Sequence, residues 1–170
     1  TLEFVGIRSL IRAGRVKPSE LRLIAALIAV GFAAKAGVFP LHIWLPKAHP
    51  VAPAPASALL SGILTKTGLF RILVIAANML PADAIWGNAM LIFGVITMFM
   101  GALLALFSVD LKRTLACSSM SQIGFILVGV GMAVLSGFES GAAVHGALLH
   151  MVNHSLIKLV LFMAAGAVYM

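Results

Sequence analysis

Residues 34–71, AKAGVFPLHIWLPKAHPVAPAPASALLSGILTKTGLFR, hold two lysines, Lys35 and Lys66, in apolar runs on either side of a connection bearing Pro40, Pro46, Pro50, Pro53 and Pro55. A lysine near the centre of a bilayer costs roughly 2.5–3.5 kcal/mol on insertion scales. Two such residues need a reason, and the usual one is a path for ions or protons.

Composition supports a membrane setting. Of the 170 residues, 62% are hydrophobic and 10% charged, against about 25% charged in soluble domains. Apolar runs of about 18 residues or more recur along the chain, which predicts an integral membrane protein. The first run starts near residue 21 and others follow it, so it does not read as a cleaved signal peptide. The chain opens on a basic arm without Met and stops at Met170 inside an apolar run, and it is expected to be a piece of a larger protein. Cys117 is the single cysteine, which leaves packing as its expected role.

The net charge of +7 raises nucleic acid as a partner. Five of the basic residues (Arg8, Arg12, Arg15, Lys17 and Arg22) crowd the stretch before the first span, where they meet lipid headgroups or water. No nucleic-acid domain fits among the spans.

Residues 1–20 mix Leu2, Val5, Leu10 and Ile11 with Arg8, Arg12 and Arg15 before Gly14 and Pro18, as in a short interfacial helix and turn. Residues 21–170 form the membrane domain, with spans expected at about 21–45, 55–77, 84–107, 115–135 and 141–168. In the first, Lys35 lies about 21 Å along a continuous helix. Pro40 has no N–H, so the carbonyl of Ala36 would lose its helical donor, and Gly37 loosens the same turn. A broken helix beside a buried cation is how transporters build a mid-membrane site. The competing view is a simple kink with Lys35 snorkelling to the nearer surface. Trp44 and Lys47 read as interface anchors, and His42 and His49 as loop histidines with satisfied hydrogen bonds.

In the second span Lys66 lies about 17 Å in, near the middle. Ser57, Ser61 and Thr65 form a hydroxyl stripe leading toward it, suited to holding water or bonding their own backbone. The third span carries no charge, and Gly87, Gly94 and Gly101 mark a face for close helix contact. Asp110 suits the cap of the fourth, whose first half carries Ser118, Ser119, Ser121 and Gln122. In the fifth, His150, His154 and Lys158 recur every four residues, on one helix face over about 12 Å. Both residue types exchange protons when buried, so the row suits proton transfer through intervening waters. Zinc is the rival: HMVNH has two histidines one turn apart, but lacks the glutamate of a zinc-protease helix and a third ligand. A blander rival is that these polar groups are satisfied by neighbouring helices, a view that suits His145 best.

Four stretches, KAGVFPLHIWLPKAHPVAP, SALLSGILTKTGLF, DLKRTLACSSMSQIGFILVG and HMVNHSLIKLVLFMAAGAV, cover most of residues 34–168. Together they resemble the antiporter-like membrane subunits of respiratory complex I, of energy-converting hydrogenases (formate hydrogenlyase and hydrogenase-4 type) and of multi-subunit cation/proton antiporters. The resemblance implies that Lys35 is the lysine of the broken helix, paired in the family with a glutamate on an earlier helix. It makes Lys66 the central lysine, and His150, His154 and Lys158 the link into a second half-channel. It puts loop-stabilising positions near Asp110 and Lys112. No Asp or Glu lies inside any expected span, and the family's second broken helix would follow Met170.

The expectation is therefore an all-α polytopic transmembrane bundle of about five spans, the first discontinuous, as a fragment of a larger antiporter-like fold. Its expected work is proton or cation/proton translocation within an NADH:quinone oxidoreductase-like or hydrogenase-like complex. The proton path is Lys35, Lys66, His150, His154 and Lys158, with the helix break at Gly37 and Pro40. Ser61, Thr65, Ser118 and Gln122 are candidates to line water. The chain lacks the cysteine clusters and Gly-rich nucleotide loops of redox cofactors, so no cofactor, bound metal or redox chemistry of its own is expected. Expected partners are other membrane subunits, the lipid bilayer and protons or Na⁺, in a bacterial or archaeal cell membrane. The alternatives are a non-conducting structural subunit, a cation/proton antiporter subunit without redox coupling, and a metal-dependent membrane enzyme.

Overall fold

The computed structural model describes residues 6, 9–11, 13–139 and 141–169. Leu2, Val5, Arg8 and Arg12 of the expected interfacial arm lie outside that set. The described residues form helices joined by short turns, with no strand among them. Six helices matter here: α1 (Pro18–Ala36), α2 (Trp44–Val51), α3 (Ala54–Met79), α4 (Ala84–Leu106), α5 (Leu111–Leu135) and α6 (Gly141–Val168).

Four of these, α3 to α6, are long and apolar enough to cross a membrane. The first helix, α1, is 19 residues long and carries Glu20, Arg22 and Lys35. That charge load separates it from the other four.

The first helix also differs from the expected 21–45 in both extent and cause of ending. It begins at Pro18, whose fixed φ suits a first turn. It stops at Ala36 because Gly37 turns left-handed at φ 82°. The N–H groups of Gly37 and Val38 then both reach the Ala33 carbonyl, at 2.9 and 3.0 Å. Gly37, not Pro40, therefore terminates the helix. Pro40 follows in the irregular segment, after a cis peptide bond with Phe39, and α2 resumes at Trp44. Trp44 faces inward more than an interface anchor would: its indole N–H donates to the Ala34 carbonyl at 2.8 Å, filling one of α1's last free acceptors.

The second long helix holds a feature that sequence spacing does not reveal. Between Leu60 and Leu64 the backbone makes a π-helical turn, and α-helix continues from Thr65. Such single turns often mark functional sites.

The third and fourth long helices, α4 and α5, pack closely through glycines. A side-chain carbon added to Gly94 would meet Val128, and one added to Gly101 would meet the backbone of Ser121. Gly124 of α5 lies equally close to the backbone of Met98. The seven-residue glycine spacing thus marks a real contact face. Asp83 and Asp110 cap α4 and α5, accepting from Trp86 N (3.0 Å) and Arg113 N (2.8 Å). Arg22 Nε of α1 also binds Asp83 Oδ2 at 2.8 Å and ties α1 to the start of α4. Outward faces stay apolar: Leu23, Leu27, Ile92, Phe99, Val160 and Met163 are all exposed.

Candidate functional site

Three helices bring the polar seam together. Lys66 comes from α3, just past the π turn, and is 5% exposed. In that turn the Thr65 backbone N–H goes to the Leu60 carbonyl. The Ser61 carbonyl accepts side chains: Thr65 Oγ1 at 3.1 Å and the Lys66 ammonium. Gly62 lets α6 approach here, since a side-chain carbon on it would fall 2.9 Å from Leu159.

Ser61 continues the seam. Its Oγ lies 2.7 Å from Ser119 Oγ of α5, with both residues fully buried. Ser119 Oγ donates to the Leu115 carbonyl at 2.9 Å. Each hydroxyl has one proton, so Ser61 is then the donor to Ser119. Lys158 of α6, 4% exposed, donates to the same Leu115 carbonyl at 2.9 Å and to Ser118 Oγ at 2.5 Å. Ser118 Oγ also reaches Leu115 O at 3.0 Å. Three side-chain donors therefore share an oxygen that has two lone pairs. The two buried ammonium groups are joined through hydroxyls and carbonyls, with no acidic partner among the described residues.

The histidines extend the seam along α6. His154 is 3% exposed, and its two ring nitrogens find no partner among the described residues. Its ring stacks on that of His150 at 6.3 Å and 11°. His150 is half-buried and lies 2.8 Å from Gln122 Oε1 through Nε2. His145 is exposed. No group of three His, Cys, Asp or Glu side chains suited to a metal occurs among the described residues.

The structure unites Lys66, Ser61, Thr65, Ser118, Gln122, His150, His154 and Lys158 in one seam, and it leaves Lys35 out of that seam. Lys35 lies in the last turn of α1, exposed and without a hydrogen-bond partner among the described residues. Arg71 is exposed as well.

Sequence reasoning missed three contributors. Ser119, one hydroxyl within a serine-rich run, is the link between α3 and α5. Thr97 sits fully buried in the uncharged α4, where it accepts the Phe39 N–H at 3.1 Å and holds the segment after the helix break. His49 corrects the expectation of a satisfied loop histidine. It is fully buried and stacked on Phe162 at 4.5 Å, and neither ring nitrogen has a partner among the described residues. An unpaired buried polar atom costs about 1–3 kcal/mol. Burial, then the charges of Lys158, Lys66 and Lys112, push its pKa down to about 4.

An apolar helix bundle enclosing amines, imidazoles and hydroxyls is an integral membrane protein with a polar seam. The family model described as "NADH:quinone oxidoreductase/Mrp antiporter, TM" matches residues 1–170, and the chain belongs to that family of antiporter-like membrane subunits. It is 39% identical to hydrogenase-4 component B of Escherichia coli over 99% of this chain and 26% of that protein. Formate hydrogenlyase subunit 3 of the same organism is 43% identical over 82% of this chain and 24% of its own length. An NAD(P)H-quinone oxidoreductase chain 4 of Thermosynechococcus vestitus is 42% identical over 89% of this chain and 28% of its own. The Mrp complex of a Dietzia species superposes with a TM-score of 0.82 at 28% identity, over 89% of this chain and 27% of that one. The chain thus spans about a quarter of the length of these relatives.

Proposed function

We propose that this chain belongs to a proton-translocating, or cation/proton-translocating, membrane subunit. The observation that carries this reading is the buried bond network from Lys66 through Ser61, Ser119 and Leu115 O to Lys158. Two amines in a low-dielectric interior cannot both hold charge cheaply, so the proton state of one biases the other. Leu115 O is oversubscribed, so when Lys158 gives up a proton, Ser118 and Ser119 have acceptors to turn to. Carbonyl oxygens only accept, so the protons themselves move over the serine hydroxyls, the histidines and water. His154 and the His150–Gln122 pair continue the route along α6. Ser61, Thr65, Ser118 and Gln122 line it.

Lys35, exposed at the end of α1, is the route's outer member. Exposed apolar faces meet lipid and further membrane subunits of an NADH:quinone oxidoreductase-like, hydrogenase-like or antiporter complex. Names of the relatives as components, subunits and chains support that setting.

Proton uptake by vesicles holding the complete complex tests the proposal. Lys66→Ala is expected to lower uptake at least tenfold with assembly intact. Unchanged uptake would instead establish a structural subunit that keeps the helices and conducts nothing.

A further inference from the structure

Two polar side chains stand outside the seam and beside one open cleft: Arg71 of α3 and Asn153 of α6. The cleft is a cavity of about 420 Å³ between the two helices. Gly62, Lys66, Thr67 and Arg71 line one wall, and Val152 and Ser155 the other, among apolar neighbours. The helices run in opposite directions, since Ala54 meets Gly166 and Gly62 meets Leu159. Arg71, beyond Gly62 in α3, therefore lies at the level of residues that precede Leu159 in α6, Asn153 among them.

Most polar groups of the cleft already have partners. Thr67 Oγ1 donates to the Leu64 carbonyl and Ser155 Oγ to the Met151 carbonyl, each at 2.8 Å. The Lys66 ammonium is held by the Ser61 carbonyl. Arg71 and Asn153 differ: both are exposed, and neither has a side-chain hydrogen bond or ion pair among the described residues. Arg71 alone would need no explanation. It stands about 12 Å short of the end of α3 at Met79, so its long stem could carry the guanidinium to the headgroups.

Asn153 has no such exit. It lies near the middle of the 28-residue α6, about 18 Å from Gly141, and its side chain is too short to reach water. An amide facing hydrocarbon at that depth has nothing to bond, whereas in membrane bundles such residues bond across to a neighbouring helix. Leu149, Leu156 and Val160 give the same face of α6 an apolar surface for packing. Gly146, two turns before Asn153 on that face, has nothing within 4 Å of an added carbon and so permits close approach. This chain spans about a quarter of the length of its relatives, so further membrane segments are at hand to cover the face.

We propose that the α3–α6 cleft and the adjoining face of α6 dock a further membrane-spanning helix, which presents a carboxylate to Arg71 and a hydrogen-bonding side chain to Asn153. The sign of the charge follows from the cleft, which holds the cations Lys66 and Arg71 and no acidic side chain. A carboxylate matches the guanidinium fork with two parallel bonds. A lipid tail would fill the apolar part of the cleft and leave the Asn153 amide unpaired. The surface does not depend on whether the seam conducts, because neither residue belongs to it.

Cross-linking in the complete complex tests the proposal. Leu156→benzoylphenylalanine and, separately, Val152→benzoylphenylalanine are irradiated in membranes, and the adducts are read by mass spectrometry. The expected adduct joins α6 to a membrane-spanning peptide with an Asp or Glu within two turns of the linked residue. An adduct with phospholipid, an adduct with a peptide lacking that acid, or no adduct at either position overturns the proposal. Should neither probe variant assemble, thermal melting of two Arg71 variants decides. Arg71→Leu strands a buried carboxylate and is expected to lower the melting temperature of the complex by about 5 °C, and Arg71→Lys by less than half as much. An Arg71→Leu complex at least as stable as wild type would place Arg71 against lipid and overturn the proposal. If Arg71→Leu does not assemble, Arg71→Lys is expected to, and its failure as well overturns the proposal.

Discussion

Ser61 Oγ and Ser119 Oγ sit 2.7 Å apart in full burial, and through this contact the carbonyl that holds Lys66 is joined to the carbonyl that holds Lys158. Ser119→Ala removes one partner and leaves the Ser61 hydroxyl buried without an acceptor. Its expected stability cost is about 1–3 kcal/mol. The double variant Ser61→Ala/Ser119→Ala should recover part of that cost, because no orphan hydroxyl remains. Uptake should stay low in both. Chemical denaturation alongside proton uptake checks the split. Recovery of uptake in the double variant would count against a conducting role for the hydroxyl pair.

Thr97 holds the segment that follows the helix break, through the Phe39 N–H. Thr97→Val keeps the shape and removes the acceptor, leaving a part-buried N–H unpaired at a cost of about 1 kcal/mol. Hydrogen exchange at the Phe39 amide should accelerate, while Thr97→Ser should leave it slow. Equal protection in Thr97→Val would show that the contact does not hold this segment.

The Arg22–Asp83 pair gives the bundle an acid-sensitive tie. Burial alone would raise the Asp83 carboxyl, but the Trp86 N–H and Arg22 outweigh it and hold its pKa below the ordinary 3.8. A depressed carboxylate stabilises the fold above its unfolded pKa, and that contribution is lost as pH falls through the folded value. The melting temperature of the solubilised protein should therefore be flat in this respect above about pH 5 and decline below about pH 4. Asp83→Asn should remove that part of the decline. Arg22 is 39% exposed, so solvent screening keeps the effect small.

Close helix contact predicts a contrast between glycines. Gly124→Val would drive a side chain into the backbone of Met98, at an expected cost of about 1–3 kcal/mol or more. Gly31 on α1 has nothing within 4 Å of an added carbon, and Gly31→Ala should stabilise that helix by up to about 1 kcal/mol. Thermal melting of the two variants measures both signs.

The sequence makes the long helices legible because each repeats an apolar pattern over more than twenty residues. The His150, His154 and Lys158 row is legible because i, i+4 spacing places residues on one face whatever the neighbours do. Gly87, Gly94 and Gly101 are legible for the same reason. Features created by meeting elements are not. Nothing local distinguishes Ser119 from Ser118 until α3 arrives beside α5. Thr97 reads as one polar residue in an oily helix until Phe39 reaches it. Sequence alone divides the break at the end of α1 between Gly37 and Pro40, because it does not show that a left-handed Gly37 stops the helix before the proline is reached. Short-range spacing also cannot show a π turn: LSGIL has no proline, and its Gly62 reads as an ordinary small residue at a helix contact.

The five residues Leu60–Leu64 carry one more residue than an ordinary coil of that height would hold. Deleting any one of them would return the segment to a regular coil without re-aiming the parts on either side. The Ser61 oxygen would then be taken up by the backbone, and the amine of Lys66 would lose its seat although every side chain of the site stayed in place. A spare main-chain oxygen is what the extra residue provides.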